Sequence, residues 1–203
     1  MYGLPKATEL NKQLGKERVF AKFKVNTADQ QAFNADIVTM FITNFIDVST
    51  VPALKPAKDG KGIYVLTLNL RNAGCKTKNL DLLARVIPQK VIFALCTGNM
   101  VQFVISYERK LYATALMDLE KAKLDLNGSD LDEVWENLIK SIGGIVVEGD
   151  NTLAEQVEID AARMALIKKI ETTRQKAFKE KQPRRKKELI DLVKELELEL
   201  ENT

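Results

Sequence analysis

Residues 86–117, VIPQKVIFALCTGNMVQFVISYERKLYATALM, constrain the fold more than any other stretch of the chain. Val91 to Cys96 is apolar at every position, the pattern of a strand covered on both faces. Gly98-Asn99 follows and suits the positive backbone angles of a tight hairpin turn. Val101, Phe103, Ile105 and Tyr107 then alternate with Gln102, Val104 and Ser106, the period of two of a strand with one wetter face. Glu108-Arg109-Lys110 makes the next turn, and Leu111 to Met117 reads as a third antiparallel strand. Pro88 lacks an amide donor and pushes the residue before it toward extended geometry, so a helix is expected to end there.

A sheet of this kind needs a core, and 203 residues with 45% hydrophobic composition supply one domain plus an appendage. No run of eighteen apolar residues is present, so no membrane span is expected. The start, Met1 to Lys6, lacks the charged-then-apolar pattern of a signal peptide. Cys75 and Cys96 fit no metal spacing and read as free thiols in a reducing cytosol. The chain has no histidine. That removes Ser/His and Cys/His nucleophile pairs, histidine metal sites and histidine acid–base work. No cofactor or metal site is expected, since phosphate-binding glycine loops, glycine-rich dinucleotide turns and CxxC pairs are all missing.

The flanking elements follow from local signals. Residues 6–14 read as a short helix stopped by Gly15. Thr27-Ala28-Asp29-Gln30 has the form of a capping box and predicts a helix to about Ile46, with Phe33, Ile37, Met40, Phe41 and Phe45 on one stripe. Pro52, Pro56, Gly60 and Gly62 make residues 47–62 a loop. Ile63 to Leu70 is a strand with Tyr64, Leu66, Leu68 and Leu70 on one face. Asn79 would cap a helix to Ile87, so that a crossover sets 63–70 parallel to 91–96. Ser129-Asp130 would cap a helix that ends at Gly143-Gly144 and carries Leu131, Val134, Trp135, Leu138, Ile139 and Ile142 on its inner face. Trp135 is the only tryptophan, and at helical spacing among aliphatics it reads as core.

From about Thr152 two long helical segments surround Gln182-Pro183. If the chain reverses near residue 182, Leu200 lies beside Met164, Leu196 beside Ile167 and Val193 beside Ile170. Leu189, Val193, Leu196 and Leu200 then form a coiled-coil seam. The same register sets Glu195 near Lys169, Glu199 and Glu201 near Arg163, and Asp191 near Arg174. The prediction is an α+β fold: a mixed β-sheet of about four strands packed by helices over residues 1–148, then an antiparallel helical hairpin over 149–203. The seam could equally pair between chains, giving a homodimer through the C-terminal helices.

Net charge is +3, but it is blocked: +8 over residues 1–110, −9 over 111–160, +9 over 161–187 and −5 over 188–203. The hairpin tip, RQKAFKEKQPRRKK, concentrates Arg174, Lys176, Lys179, Lys181, Arg184, Arg185, Lys186 and Lys187 around one acid. Clustered cations gain from counterion release on nucleic acid, so the tip is the candidate phosphate contact, with Phe178 as an apolar or stacking addition. The competing reading is a solvated turn that keeps the helices soluble. A metal-dependent nuclease is the enzymatic alternative and needs two or three convergent acids. Strand 63–70 has none, and Glu108 is followed by Arg109-Lys110.

Three patches carry a family resemblance: Leu4-Pro5 with Thr8 and Asn11-Lys12, Val86-Ile87-Pro88 running into Val91-Ile92-Phe93, and Leu131-Asp132-Glu133-Val134-Trp135 with Leu138-Ile139. In this order and spacing, over about residues 1–145, the chain resembles the bacterial family called domain of unknown function 4391. The resemblance implies a bacterial cytoplasmic protein, often encoded beside helicase and DNA methyltransferase genes of restriction-type defence loci. It brings no catalytic residues, and the hairpin after residue 150 looks like an addition to it. The expected function is a non-catalytic accessory or interaction subunit of a DNA-processing complex. Its partner would be a protein such as a helicase or methyltransferase, and its basic tip would be a possible nucleic-acid contact.

Overall fold

The structure is a computed structural model that describes residues 1–87 and 89–202. The expected helix stop at Pro88 lies outside the described residues. The chain divides into two compact units, Met1–Ile145 and Val146–Thr203.

The first unit is α+β. Its sheet is mixed and has seven described strands, more than the four expected: β1 (Glu9–Gln13), β2 (Ile37–Ile46), β3 (Ile63–Leu70), β4 (Lys90–Thr97), β5 (Met100–Tyr107), β6 (Lys110–Ala113) and β7 (Met117–Asp118). The spatial order is β1-β2-β3-β4-β5-β6, with β7 also on β5. β3 and β4 run parallel, with Leu66 opposite Phe93, because helix α3 (Thr77–Val86) carries the chain across. The other pairings are antiparallel. The expected third strand 111–117 is interrupted. At the break, the Thr114 N–H donates to the Phe103 carbonyl (3.0 Å) and the Thr114 hydroxyl accepts from the Phe103 N–H (3.1 Å), a side-chain bond that replaces a regular ladder pair.

Two further expectations are corrected. Residues 6–14 are a short 3₁₀ turn, Lys6–Thr8, and then β1, whose five residues are all exposed. A polar edge strand is one way a sheet avoids pairing with other chains. The expected helix from Thr27 to Ile46 is α2 (Thr27–Asp36) followed by β2. Ile37 to Ile46, IVTMFITNFI, is dense in β-branched and aromatic residues, and it buries Ile37, Met40 and Ile46 completely as a strand. The α2 cap is Asn26, whose side chain accepts from the Asp29 N–H (2.9 Å), and not Thr27.

One core cluster unites β2, β3 and β4 with α1 (Lys16–Phe23), α2 and α3 through Val19, Phe33, Met40, Leu66, Leu83 and Phe93. The opposite face is covered by α4 (Leu131–Gly143), which packs on β5 and β6, and by Tyr2 edge-on to Phe103 at 5.2 Å. Each side chain fully buried in this way contributes roughly 1.5–3 kcal/mol. Asp130 caps α4 by accepting from the N–H groups of Asp132 and Glu133, and Gly144 closes it at φ +62°. Asn79 is not the cap of α3. Lys76 holds that position, and the Asn79 amide donates to Asp36 (2.8 Å).

The second unit is a helical pair, α5 (Leu153–Lys179) and α6 (Pro183–Glu201). Thr152 and Glu155 form a capping box at the start of α5. Val193 and Leu196 are buried, with Leu189 and Leu200 half-buried, as the seam on α6 requires. On α5 the seam lies elsewhere than expected. Ile170 is buried with Leu166 beside it, while Ile167 and Met164 are exposed. Leu166, Ile170, Thr173 and Ala177 repeat four, three and four apart and form one stripe, displaced by part of a turn from the predicted one. Arg174 meets Glu197 and Asp191 meets Lys194 (4.0 Å), in place of the expected pairing of the two, and Arg163 also meets Glu148 (3.3 Å).

Candidate nucleic-acid interface

The loop that reverses the chain is built by its own sequence. Glu180 ends α5 in extended geometry, and Pro183 starts α6, where its missing N–H costs nothing. The Glu180 carboxylate accepts from the N–H groups of Lys181 (2.8 Å) and Gln182 (2.9 Å). Chiefly the Gln182 N–H holds that carboxyl below the usual range, against the small opposing effect of burial, so the single acid of the tip stays ionised as a turn staple.

Around this staple all eight predicted cations are exposed. Arg174 is committed to Glu197, and Arg184 sits 3.3 Å from Glu188. Among the described residues Lys176, Lys179, Lys181, Arg185, Lys186 and Lys187 form no ion pair. The structure therefore gathers the predicted residues at one end of the helical pair and, with Arg185 acting on the Glu180 carboxylate, leaves five of the eight without a counter-charge among the described residues. Phe178 is 85% exposed among them.

The helix dipole makes this placement costly. Arg184 to Lys186 occupy the first turn of α6, with Lys187 next to it, where the peptide dipoles present positive charge, and no acid shares that turn. The last turn of α6 carries Glu199 and Glu201 and no cation, the reverse of the stabilising arrangement.

The sheet unit offers less. Glu108 lies in the two-residue turn between β5 and β6 at φ +46°. Among the described residues no three His, Cys, Asp or Glu side chains converge as a metal site. Trp135 is half-buried and not fully in the core. It rims a cavity of about 250 Å³ with Gln89, Lys90 and Ser106. The Lys90 ammonium there is held by Asp132 (2.5 Å) and Asp59 (3.9 Å), so it is already neutralised.

Sequence reasoning missed a second feature of the tip. A groove of about 420 Å³ runs between the helices, floored by Ala177 and Val193 and walled by Phe178 and Ile190, with Arg174 and Lys186 on its rim. The signal was present as a second stripe on α5. Met164, Ile167, Arg174 and Phe178 lie three, seven and four residues apart, close to whole helical turns, on a face beside the seam.

A family model described as Domain of unknown function (DUF4391) matches residues 2–200. The match runs through both helices of the pair, so the pair is not an addition outside the family pattern. Searches of curated proteins and of solved structures found no match.

Proposed function

We propose, for a chain that belongs to the DUF4391 family, that it is a non-catalytic interaction subunit of a bacterial DNA-processing complex, and that it contacts nucleic-acid backbone through the tip of its helical pair. The observation that carries the reading is the cluster of exposed cations around residues 176–187, of which Lys176, Lys179, Lys181, Lys186 and Lys187 form no ion pair among the described residues and Arg185 faces only the Glu180 carboxylate. Counterion release would reward such a cluster on a polyanion, independent of base sequence.

Duplex-binding anisotropy at two salt concentrations tests the contact. Four phosphate contacts by Lys176, Lys179, Lys181 and Arg185 imply a slope of about −3.6 in log affinity against log salt, at roughly 0.9 per phosphate. Replacing all four with Ala should flatten the slope by about that amount. No binding by the wild-type chain at low salt, or equal affinity of the two proteins, would return the tip to a solvated turn. The subunit role is tested by purification from the native host. Recovery of a helicase or methyltransferase is expected, and a chain that comes out alone would refute it.

A further inference from the structure

We infer that the face of the helical pair carrying the groove is a self-association surface, on which a second copy of this chain lies antiparallel with its Met164 in the groove between Phe178 and Ile190. Four apolar side chains share this face and are exposed: Met164 (66%), Ile167 (38%), Phe178 (85%) and Ile190 (41%). None belongs to the buried cluster of the pair, which is Ile170, Val193 and Leu196 with Leu166 and Leu200. Exposed apolar groups gathered on one face in this way mark an interaction surface more often than scattered ones do.

The spacing selects the occupant. Met164 and Phe178 are fourteen residues apart on α5, about 21 Å at 1.5 Å per residue. A second copy reversed about a two-fold axis near Glu171 brings each Met164 to the other copy's Phe178, as an isologous interface requires. Methionine suits an irregular apolar groove beside an aromatic ring.

Charge selects the direction. Residues 174–187 carry eight basic side chains and one acid, whereas residues 188–203 carry six acids and one lysine. The start of the pair, residues 148–160, has five acids and no base. Antiparallel copies set each basic tip against the other copy's acidic end. Asp160 then lies toward the other copy's Lys186, while the two Glu171 side chains meet at the axis and favour neither direction. Parallel copies would instead stack the two cationic tips and repel. The arrangement also gives each α6 the counter-charges that its own first and last turns lack.

This surface adjoins the proposed backbone contact. Lys176, Lys179 and Arg185 do not line the groove whereas Lys186 does, so the two readings share part of the tip's charge and are told apart by the Met164 and Phe178 variants, which leave every cation in place.

The full chain is examined by sedimentation at micromolar concentrations. The expected result is a species of twice the 22.8 kDa chain mass, weakened as salt rises. Met164→Glu with Phe178→Glu should weaken it more than about a hundredfold. The circular dichroism spectrum should not change, because neither side chain is in the seam. Direction is read by disulfide trapping in a Cys75→Ser background, where the remaining thiol, Cys96, is buried. Met164→Cys with Phe178→Cys should give a covalent dimer on oxidation, and Met164→Cys alone should not. A wild-type chain that stays monomeric, a double Glu variant that still dimerises, or a dimer trapped by the single Met164→Cys change would each overturn the proposal.

Discussion

Ile167 and Ile170 are the same residue one turn apart on α5, and the structure gives them opposite roles. Ile170 is 5% exposed against Val193 and Leu196, while Ile167 is 38% exposed and outside that cluster. The second unit has three buried residues in this cluster, each contributing roughly 1.5–3 kcal/mol by burial, so the cluster contributes roughly 5–9 kcal/mol in all. Removing one of the three is therefore a large fraction of it. Ile→Ala at a buried site costs about 2–5 kcal/mol, and a small two-helix contact that can partly close over the gap belongs at the lower end, about 2–3. Ile167→Ala should cost less, about 1 kcal/mol, since that side chain keeps 38% of its surface in water and packs outside the buried cluster, so its removal leaves no enclosed gap. The assay is urea unfolding followed at 222 nm, at protein concentrations low enough to suppress association, with trypsin cleavage as a second readout. Tip sites such as Lys181 are exposed already, so the readout is cleavage inside the helices, at Lys168, Lys169 and Lys194, which should appear in Ile170→Ala but not in Ile167→Ala. Equal effects of the two substitutions, or a larger effect at Ile167, would refute the stripe assignment and restore the register predicted from sequence.

Two other outcomes follow from the sheet unit. Glu108 and Arg109 both have positive φ (46° and 59°) in the turn between β5 and β6, so Glu108→Asn with Arg109→Gly should raise stability by about 1–2 kcal/mol, measured by denaturant midpoint. Asp132 is held below the ordinary carboxylate range first by the Lys58 N–H (2.8 Å) and then by Lys90, so its contribution is complete above about pH 4 and is lost as pH falls through its folded value; thermal melts of Asp132→Asn should show a flatter acid limb than wild type.

The legible parts of the fold were those where one physical signal dominated. Val91 to Cys96 could only be a covered strand, and Gly98-Asn99 could only turn. β2 was misread because its apolar residues fit both periods: Phe33, Ile37, Met40, Phe41 and Phe45 make a helical stripe, and IVTMFITNFI also makes a strand. Pairing decided it. β3 offers β2 a partner along its length from Ile37 opposite Leu70 to Ile46 opposite Ile63, and no local signal reports that partner. β1 was misread for the same reason, since ELNKQ has no apolar face and becomes a strand by joining the edge of β2. At the tip, the basic cluster was legible as composition. The groove was not, because it depends on the rotation of α5, and both Ile167 and Ile170 are plausible seam residues in sequence alone. The family patches proved to hold core: Leu4, Thr8, Val91, Ile92, Phe93, Leu131, Val134, Leu138 and Ile139 are all buried.

The charge order of α6 is the feature that folding alone does not explain. A helix left to optimise itself would carry acids in its first turn and bases in its last, each worth about 0.3–1 kcal/mol. α6 has four cations at its start, acids at its end, and a turn already secured by Glu180 and Pro183, so the cations are not needed to close it. If the cations serve an external anion, stability and binding should move in opposite directions. Arg184→Glu with Arg185→Glu reverses two unfavourable dipole interactions and loses the exposed pair of Arg184 with Glu188, about 0.3–0.5 kcal/mol, together with the pull of Arg185 on the Glu180 carboxylate. The helical pair should gain about 1 kcal/mol in urea unfolding, while duplex affinity at low salt falls steeply. A variant that loses stability would mean that the cations support the turn after all, and the argument for a phosphate-seeking tip would lose its physical basis.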